Sequence, residues 1–209
     1  RFVVCKVLRQ HYEATGDERA LDAIASYAEY LMENPDDWSI GDWAEMRWMD
    51  LAVTLHWLYD RTDERWLLDL VELLIGRGFN WPDHFTDFEF KRKQDEEPQM
   101  ETHVVNNAMG VKAPAVQYRQ HGDDAYREAV FDGIANLDRF HGQATGLFTG
   151  DEHFSGKNPS QGTELCAVVE YMYSLEYLTE ALGDPAFGDR LERIAYNALP
   201  ATFTPDMWA

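Results

Sequence analysis

Two short segments of the chain hold the residue types that acid–base or metal chemistry needs. The first runs Thr149-Gly150-Asp151-Glu152-His153-Phe154 and resumes at Gly162-Thr163-Glu164-Leu165-Cys166. It places three carboxylates, one imidazole and one thiol within sixteen residues. Glu164 and Cys166 are two positions apart, so inside a helix they would point roughly 200° apart and could not share a ligand. At a helix start, with Glu164 on the capping turn after Gly162-Thr163, the two converge, and carboxylate plus thiolate suits Zn²⁺. The alternative is a capping Glu164 and a Cys166 that packs as a small hydrophobe. Glu152 lies in an irregular stretch beside an aromatic. Partial desolvation there would let it hold a proton near neutral pH and act as a general acid. The alternative is a solvated loop carboxylate.

The second segment is Glu101-Thr102-His103-Val104-Val105-Asn106-Asn107, where a long loop enters a helix. His103 and Asn106 there, and His153 in the first segment, have the donors and acceptors to meet sugar hydroxyls. The competing reading is a cap at Thr102 and a core His103. A third cluster, Trp38, Trp43, Glu45, Arg47, Trp48 and Asp50, reads either as a stacking wall or as an inter-helix seam. His56 and Cys5 read as core. No phosphate-cradling glycine loop, serine elbow or dinucleotide fingerprint occurs.

The elements that must position these residues are helices. Apolar spacing predicts them over 2–14, 17–32, 42–59, 64–75, 102–120, 124–140, 161–181 and 184–198. Residues 79–100, with Pro82 and Pro98, and residues 142–159 lack a sustained period and read as long loops. Strand signals are nearly absent. A motif repeats: Tyr12 with Thr15-Gly16-Asp17, Tyr59 with Thr62-Asp63, Tyr118 with His121-Gly122-Asp123, and Tyr177 with Gly183-Asp184, at intervals of 47, 59 and 59. Each copy ends one helix and starts the next, so the unit is an αα-hairpin. Four such hairpins stack as a solenoid or curl into a toroid. The two long loops emerge at one end of the helix layer, which favours a cleft and the toroid.

The bulk properties bound the partners. A hydrophobic share of 45 % is that of a globular chain. Net charge −20 argues against contact with nucleic-acid phosphates and with anionic membrane surfaces. Five Lys against twenty Asp suits a saline habitat or simply an acidic protein. Two cysteines suggest no disulfide framework, and no membrane-length apolar run exists. The chain begins inside a helical pattern without Met and stops at Ala209, so the expectation is one domain, 1–209, cut from a longer protein. Compartment does not follow from this.

At Thr102 to Gly110, Tyr118 to Asp123, Gly150-Asp151-Glu152-His153, Gly162 to Glu170 and Arg193 to Ala201 the sequence resembles glycoside hydrolase family 127, the β-L-arabinofuranosidases formerly grouped as DUF1680. The resemblance implies an all-α, (α/α)6-toroid fold, here an incomplete toroid of about four hairpins, followed elsewhere by β-domains. It implies retaining hydrolysis of β-L-arabinofuranosides, with a cysteine nucleophile on a Zn²⁺ site of one Glu and three Cys. Glu152 then matches the acid/base, Glu164 and Cys166 match two zinc ligands, and His103 matches a substrate-contacting histidine. The implied substrate is a plant-type arabinoside or related glycan. Leu165 replaces the Thr of the best-known members and the Glu152–Glu164 spacer is shorter, which points to a subgroup whose sugar can differ. The family's Cys-Cys pair, with the nucleophile, lies downstream of residue 209, and Cys5 does not substitute for it. The 209 residues alone are therefore expected to be inactive and to bind Zn²⁺ weakly. The rivals are another toroid sugar enzyme, such as an unsaturated-uronide hydrolase or an epimerase, and a non-catalytic helical-repeat binding module.

Overall fold

Each hairpin begins with the same physical device. A helix ends on a backbone bond to a residue in left-handed conformation, and a polar or acidic residue opens the next helix. In the computed structural model, which describes residues 2–92 and 99–206, Gly16, Asp63, Gly122 and Gly183 take φ of 68, 58, 72 and 67°. Their N–H groups close onto the carbonyls of Tyr12, Tyr59 and Tyr118 in the first three copies. In the fourth copy the acceptor is Thr179 at 3.0 Å, so Thr179 and not Tyr177 holds the equivalent place. Tyr177 is instead buried.

These turns join α1 (Phe2–Thr15) to α2 (Glu18–Glu33), α4 (Trp48–Thr62) to α5 (Trp66–Arg77), α8 (Ala113–His121) to α9 (Asp124–His141), and α10 (Leu165–Leu182) to α11 (Pro185–Asn197). The partners in each pair pack on one another. Among the described residues there are also three short α-helices, α3 (Trp43–Met46), α6 (Trp81–Thr86) and α7 (Val104–Gly110). No helix among the described residues is long and apolar enough to cross a membrane.

Several boundaries differ from the sequence expectation. The helix expected over 42–59 is two, α3 and α4, parted at Arg47 (φ −117°, ψ 22°). The helix expected over 102–120 is also two, parted at Val111-Lys112 with Pro114 in the first turn of α8. Pro82 does not break structure. It sits in the first turn of α6, where a missing N–H costs nothing, and Asn80 caps that helix through Asp83 N at 3.3 Å. Pro98 lies outside the described residues, as do Arg1 and Ala209. The irregular 142–159 stretch holds a two-stranded antiparallel hairpin, β1 (Gly150–Asp151) and β2 (His153–Phe154). Strands of two residues show no alternation, so no strand pattern announces them.

Contacts divide the chain into two compact units, Arg1–Phe79 and Asn80–Ala209. The first is built on α1, α2, α4 and α5, with Ile24, Leu51, Leu55, Leu67 and Leu74 wholly or almost wholly buried. Cys5 and His56 are core there, as expected. The tryptophan cluster divides. Trp48 is buried and its indole N–H donates to Phe79 O at 3.1 Å, a seam residue. Trp43 is 46 % exposed under the Arg47 guanidinium. Asp50 is buried 3.5 Å from Lys6 Nζ. The second unit packs α10 against α7 and α11, and α9 against α6 and α8. Its core includes Trp81, Phe85, Phe148, Phe154 and Tyr171.

Candidate active site

The two irregular stretches of the second unit meet through their backbones. His103 and His153 form a β-bridge, and Val104 N–H donates to Glu152 O at 2.8 Å. Gly150 in turn pairs with Thr163: Gly150 N–H donates to Gly162 O at 3.1 Å and Glu164 N–H to Gly150 O at 3.2 Å. Thus the hairpin is stitched to the entry of α7 through its tip and β2, and to the entry of α10 through β1. A side chain at Gly150 would not fit, because its Cβ would lie 2.1 Å from Val104 Cγ1 and 2.5 Å from His153 O. Glu152 sits at the hairpin tip with φ 72°, a conformation that non-glycine residues adopt rarely and that clusters at functional positions.

This stitching gathers residues that are far apart in sequence. Ligand atoms of His103, Glu152 and Glu164 lie within 4.8 Å of one another, a group whose types and spacing could hold a metal ion. His103 Nε2 is 3.2 Å from Glu152 Oε2. The histidine is buried and the Glu152 side chain is 70 % exposed, so the partial desolvation expected of that carboxylate is not provided by these residues. Glu164 occupies the N-cap position of α10 with extended backbone (φ −74°, ψ 130°), yet its side chain makes no cap bond. The capping alternative therefore fails. Cys166, one residue into α10, is exposed, so the buried-hydrophobe alternative fails as well. Its thiol is pushed above the ordinary value by local burial and then by the adjacent Glu164 carboxylate, to which it hydrogen-bonds. Glu164 thus contacts the Cys166 thiol, while Cys166 is not part of the His103–Glu152–Glu164 group.

The remaining expected residues fall into two kinds. His153 is half-buried and lies within 2.8 Å of Thr102 Oγ1 through Nδ1. The Thr102 hydroxyl has one proton, and Gln99 O, 2.8 Å away, can only accept it. Thr102 therefore accepts from His153 Nδ1–H, leaving Nε2 of the neutral ring with a lone pair. Asn106 is fully buried, and its amide donates to Met100 O at 2.9 Å. A side chain without exposed surface has no face for a sugar here. Asn106 holds the 99–103 turn instead, and Asn107 does the same through Glu101 O and His103 O. Asn106, expected as a substrate contact, is thus placed behind the 99–103 turn.

Sequence reasoning missed the scaffold beneath the hairpin. His141 ends α9, stacks on Phe154 at 4.2 Å, accepts from Gly156 N–H at 3.0 Å and donates to Phe90 O at 2.6 Å. Burial holds its pKa down at about 4. His84 donates to Asn107 Oδ1 at 3.0 Å. The only local signal for these roles is a histidine on an otherwise apolar, aromatic-rich face.

A family model described as the β-L-arabinofuranosidase, GH127 catalytic domain matches residues 4–208. A solved structure described as the GH127 β-arabinofuranosidase BT3674 aligns at TM-score 0.65 and 21 % identity, over 96 % of this chain and 33 % of that one. The Lin0763 protein from Listeria innocua aligns at TM-score 0.63 and 15 % identity, over all of this chain and 60 % of that one. No curated protein matches. The chain thus spans a third of the length of the first solved relative and under two thirds of the second. The likeness to the GH127 structure bears out the all-α, toroid-type fold class. With the family model running across nearly every residue, the chain belongs to the GH127 β-L-arabinofuranosidase catalytic-domain family.

Proposed function

We propose that this chain supplies the acid/base side of a retaining glycosidase that cleaves β-L-arabinofuranosides or closely related sugars. Membership of the family makes a glycoside hydrolase with a carbohydrate substrate the coarse statement. The observation that carries the finer one is the convergence of Glu152, His103 and Glu164, with Cys166 against Glu164. The family match runs across both compact units, which supports treating residues 1–209 as one catalytic domain.

In this reading Glu152 protonates the departing glycosidic oxygen. As a carboxylate it then takes a proton from the water that releases the sugar, the two half-reactions of retention. His103 and His153 line the same hairpin, and the lone pair on His153 Nε2 suits a sugar hydroxyl. Glu164 and Cys166 fit a zinc ion. One is a helix-start carboxylate that does not cap, the other a neighbouring exposed thiol, and together they are a hard and a soft donor side by side. When bound, zinc keeps coordinating thiols deprotonated at neutral pH. The nucleophile is not in these residues. Cys166 is taken as a ligand, and Cys5 is buried with its thiol pushed up to about 11. Residues 1–209 by themselves are therefore inactive in this account.

The test is a panel of β-L-arabinofuranosides and other pentofuranosides, assayed on the zinc-loaded enzyme that carries residues 1–209. Glu152→Gln should lower turnover on the order of 10²–10⁴-fold. Near-normal turnover by that variant, or hydrolysis by residues 1–209 alone, would remove the assignment.

A further inference from the structure

His103 opens α7 as its N-cap, and its ring does the capping. Nδ1 accepts from Val105 N–H at 3.2 Å and from Asn106 N–H at 3.4 Å. A ring nitrogen that receives N–H bonds carries a lone pair, so the proton of the neutral imidazole is on Nε2. Nε2 is the atom 3.2 Å from Glu152 Oε2, and there it is a donor. To bind a metal through Nε2, the ring would have to move its proton to Nδ1, against two backbone N–H groups. The helix start thus sets what His103 can do at Glu152, 49 residues away in sequence.

We propose that His103 is a positioning residue for Glu152: its helix-locked Nε2–H occupies Oε2, excludes His103 from any metal bound at the cluster, and leaves Oε1 as the oxygen that carries the catalytic proton. This rests on the acid/base reading of Glu152. The backbone bond from Val104 N–H to Glu152 O at 2.8 Å ties the main chain of Glu152 to the same turn. An otherwise exposed side chain is thereby held at both ends. In the cycle, the Oε1 proton passes to the glycosidic oxygen as its bond to the anomeric carbon breaks and a nucleophilic thiolate from outside residues 1–209 bonds to that carbon. Water then displaces the thiolate from the carbon, giving its proton back to Oε1. The His103 proton stays on Nε2 throughout.

His103→Asn tests this, because asparagine is among the best N-caps and keeps α7 closed, yet is too short to reach Glu152. In the zinc-loaded enzyme, kcat on a substrate with a poor leaving group should fall on the order of tenfold, the worth of one hydrogen bond to a charged group, with KM and zinc content unchanged. A raised KM with unchanged kcat would make His103 a substrate contact, and lost zinc would make it a ligand; either overturns the proposal, as does unchanged turnover. Nitrogen NMR of the His103 ring in the wild-type chain needs no variant to fold. It should show Nδ1 unprotonated and Nε2 protonated, with and without added zinc, and loss of the Nε2 proton on adding zinc would overturn the proposal. The two readings separate cleanly. An active Glu152→Gln enzyme removes the role of Glu152, whereas an inactive Glu152→Gln beside a fully active His103→Asn removes the role of His103 alone.

Discussion

At three helix starts an aspartate commits its carboxylate to the backbone: Asp17 to Arg19 N–H at 3.1 Å, Asp123 to Ala125 N–H at 2.9 Å and Asp184 to Ala186 N–H at 2.9 Å. Glu164 stands in the same position before α10 and makes no such bond. It faces His103 and Glu152 and touches the Cys166 thiol instead. The aspartates close hairpin turns, where satisfying orphan N–H groups is the whole task. Glu164 has an extra methylene and a hairpin stitched to its own backbone, so its carboxylate is carried past the helix end. An acid at a cap position is thus a fold signal in one region and a site signal in the other. The difference lies in what the preceding loop pairs with.

That contrast can be broken experimentally. The largest effect is on metal. Glu164→Gln, and separately Cys166→Ser, should weaken zinc binding of the chain by at least the 10–100-fold typical of losing a mere supporting partner of a ligand. Neither should lower the melting temperature of the metal-free chain, since Glu164 caps nothing. Unchanged zinc affinity, read by competition with a chelating dye, would return Glu164 to the structural class.

The next effect is on acid stability, through the scaffold under the hairpin. His141 is buried and neutral in the fold, with its pKa held at about 4 against an ordinary 6.5. A histidine with a lowered folded-state pKa takes up protons more readily when unfolded. Its contribution is therefore intact above pH 6.5 and is lost progressively as the pH falls from 6.5 to 4, by up to about 3 kcal/mol. Denaturant melts across that range should be steeper in pH for the wild type than for His141→Gln. Parallel curves would show that His141 does not couple the hairpin to pH.

The smallest effect is at the ordinary caps. Asp184→Ala should cost about 1 kcal/mol of stability and leave zinc binding untouched. A stability loss at Glu164 equal to that at Asp184 would erase the distinction between the two regions.

The legibility of the sequence follows the same division. The hairpins are readable because their determinants are local: left-handed turn residues, acidic caps and apolar periodicity within one helix. The breaks at Arg47 and Val111 are not, because apolar periodicity continues across them. The helix α6 is hidden behind Pro82, since a proline in a first turn and a proline that ends a helix look alike in sequence. Glu164 and Cys166 stand out as residue types at a helix start, and Glu152 as a carboxylate in an irregular stretch. What brings Glu152 to within reach of His103, 49 positions away, is the β-bridge between His103 and His153, which no local pattern records. Asn106 is buried and its amide is satisfied by Met100 O, a pairing also invisible in residue type.

The central claim is that Glu152 moves the proton to the leaving group. It is tested most directly by comparing a nitrophenyl arabinofuranoside, whose leaving group departs without protonation, with an alkyl arabinofuranoside, whose leaving group needs it. In the zinc-loaded enzyme, Glu152→Ala should slow the first sugar–oxygen cleavage of the alkyl substrate on the order of 10²–10⁴-fold and that of the nitrophenyl substrate far less. Equal losses on both substrates would contradict the account.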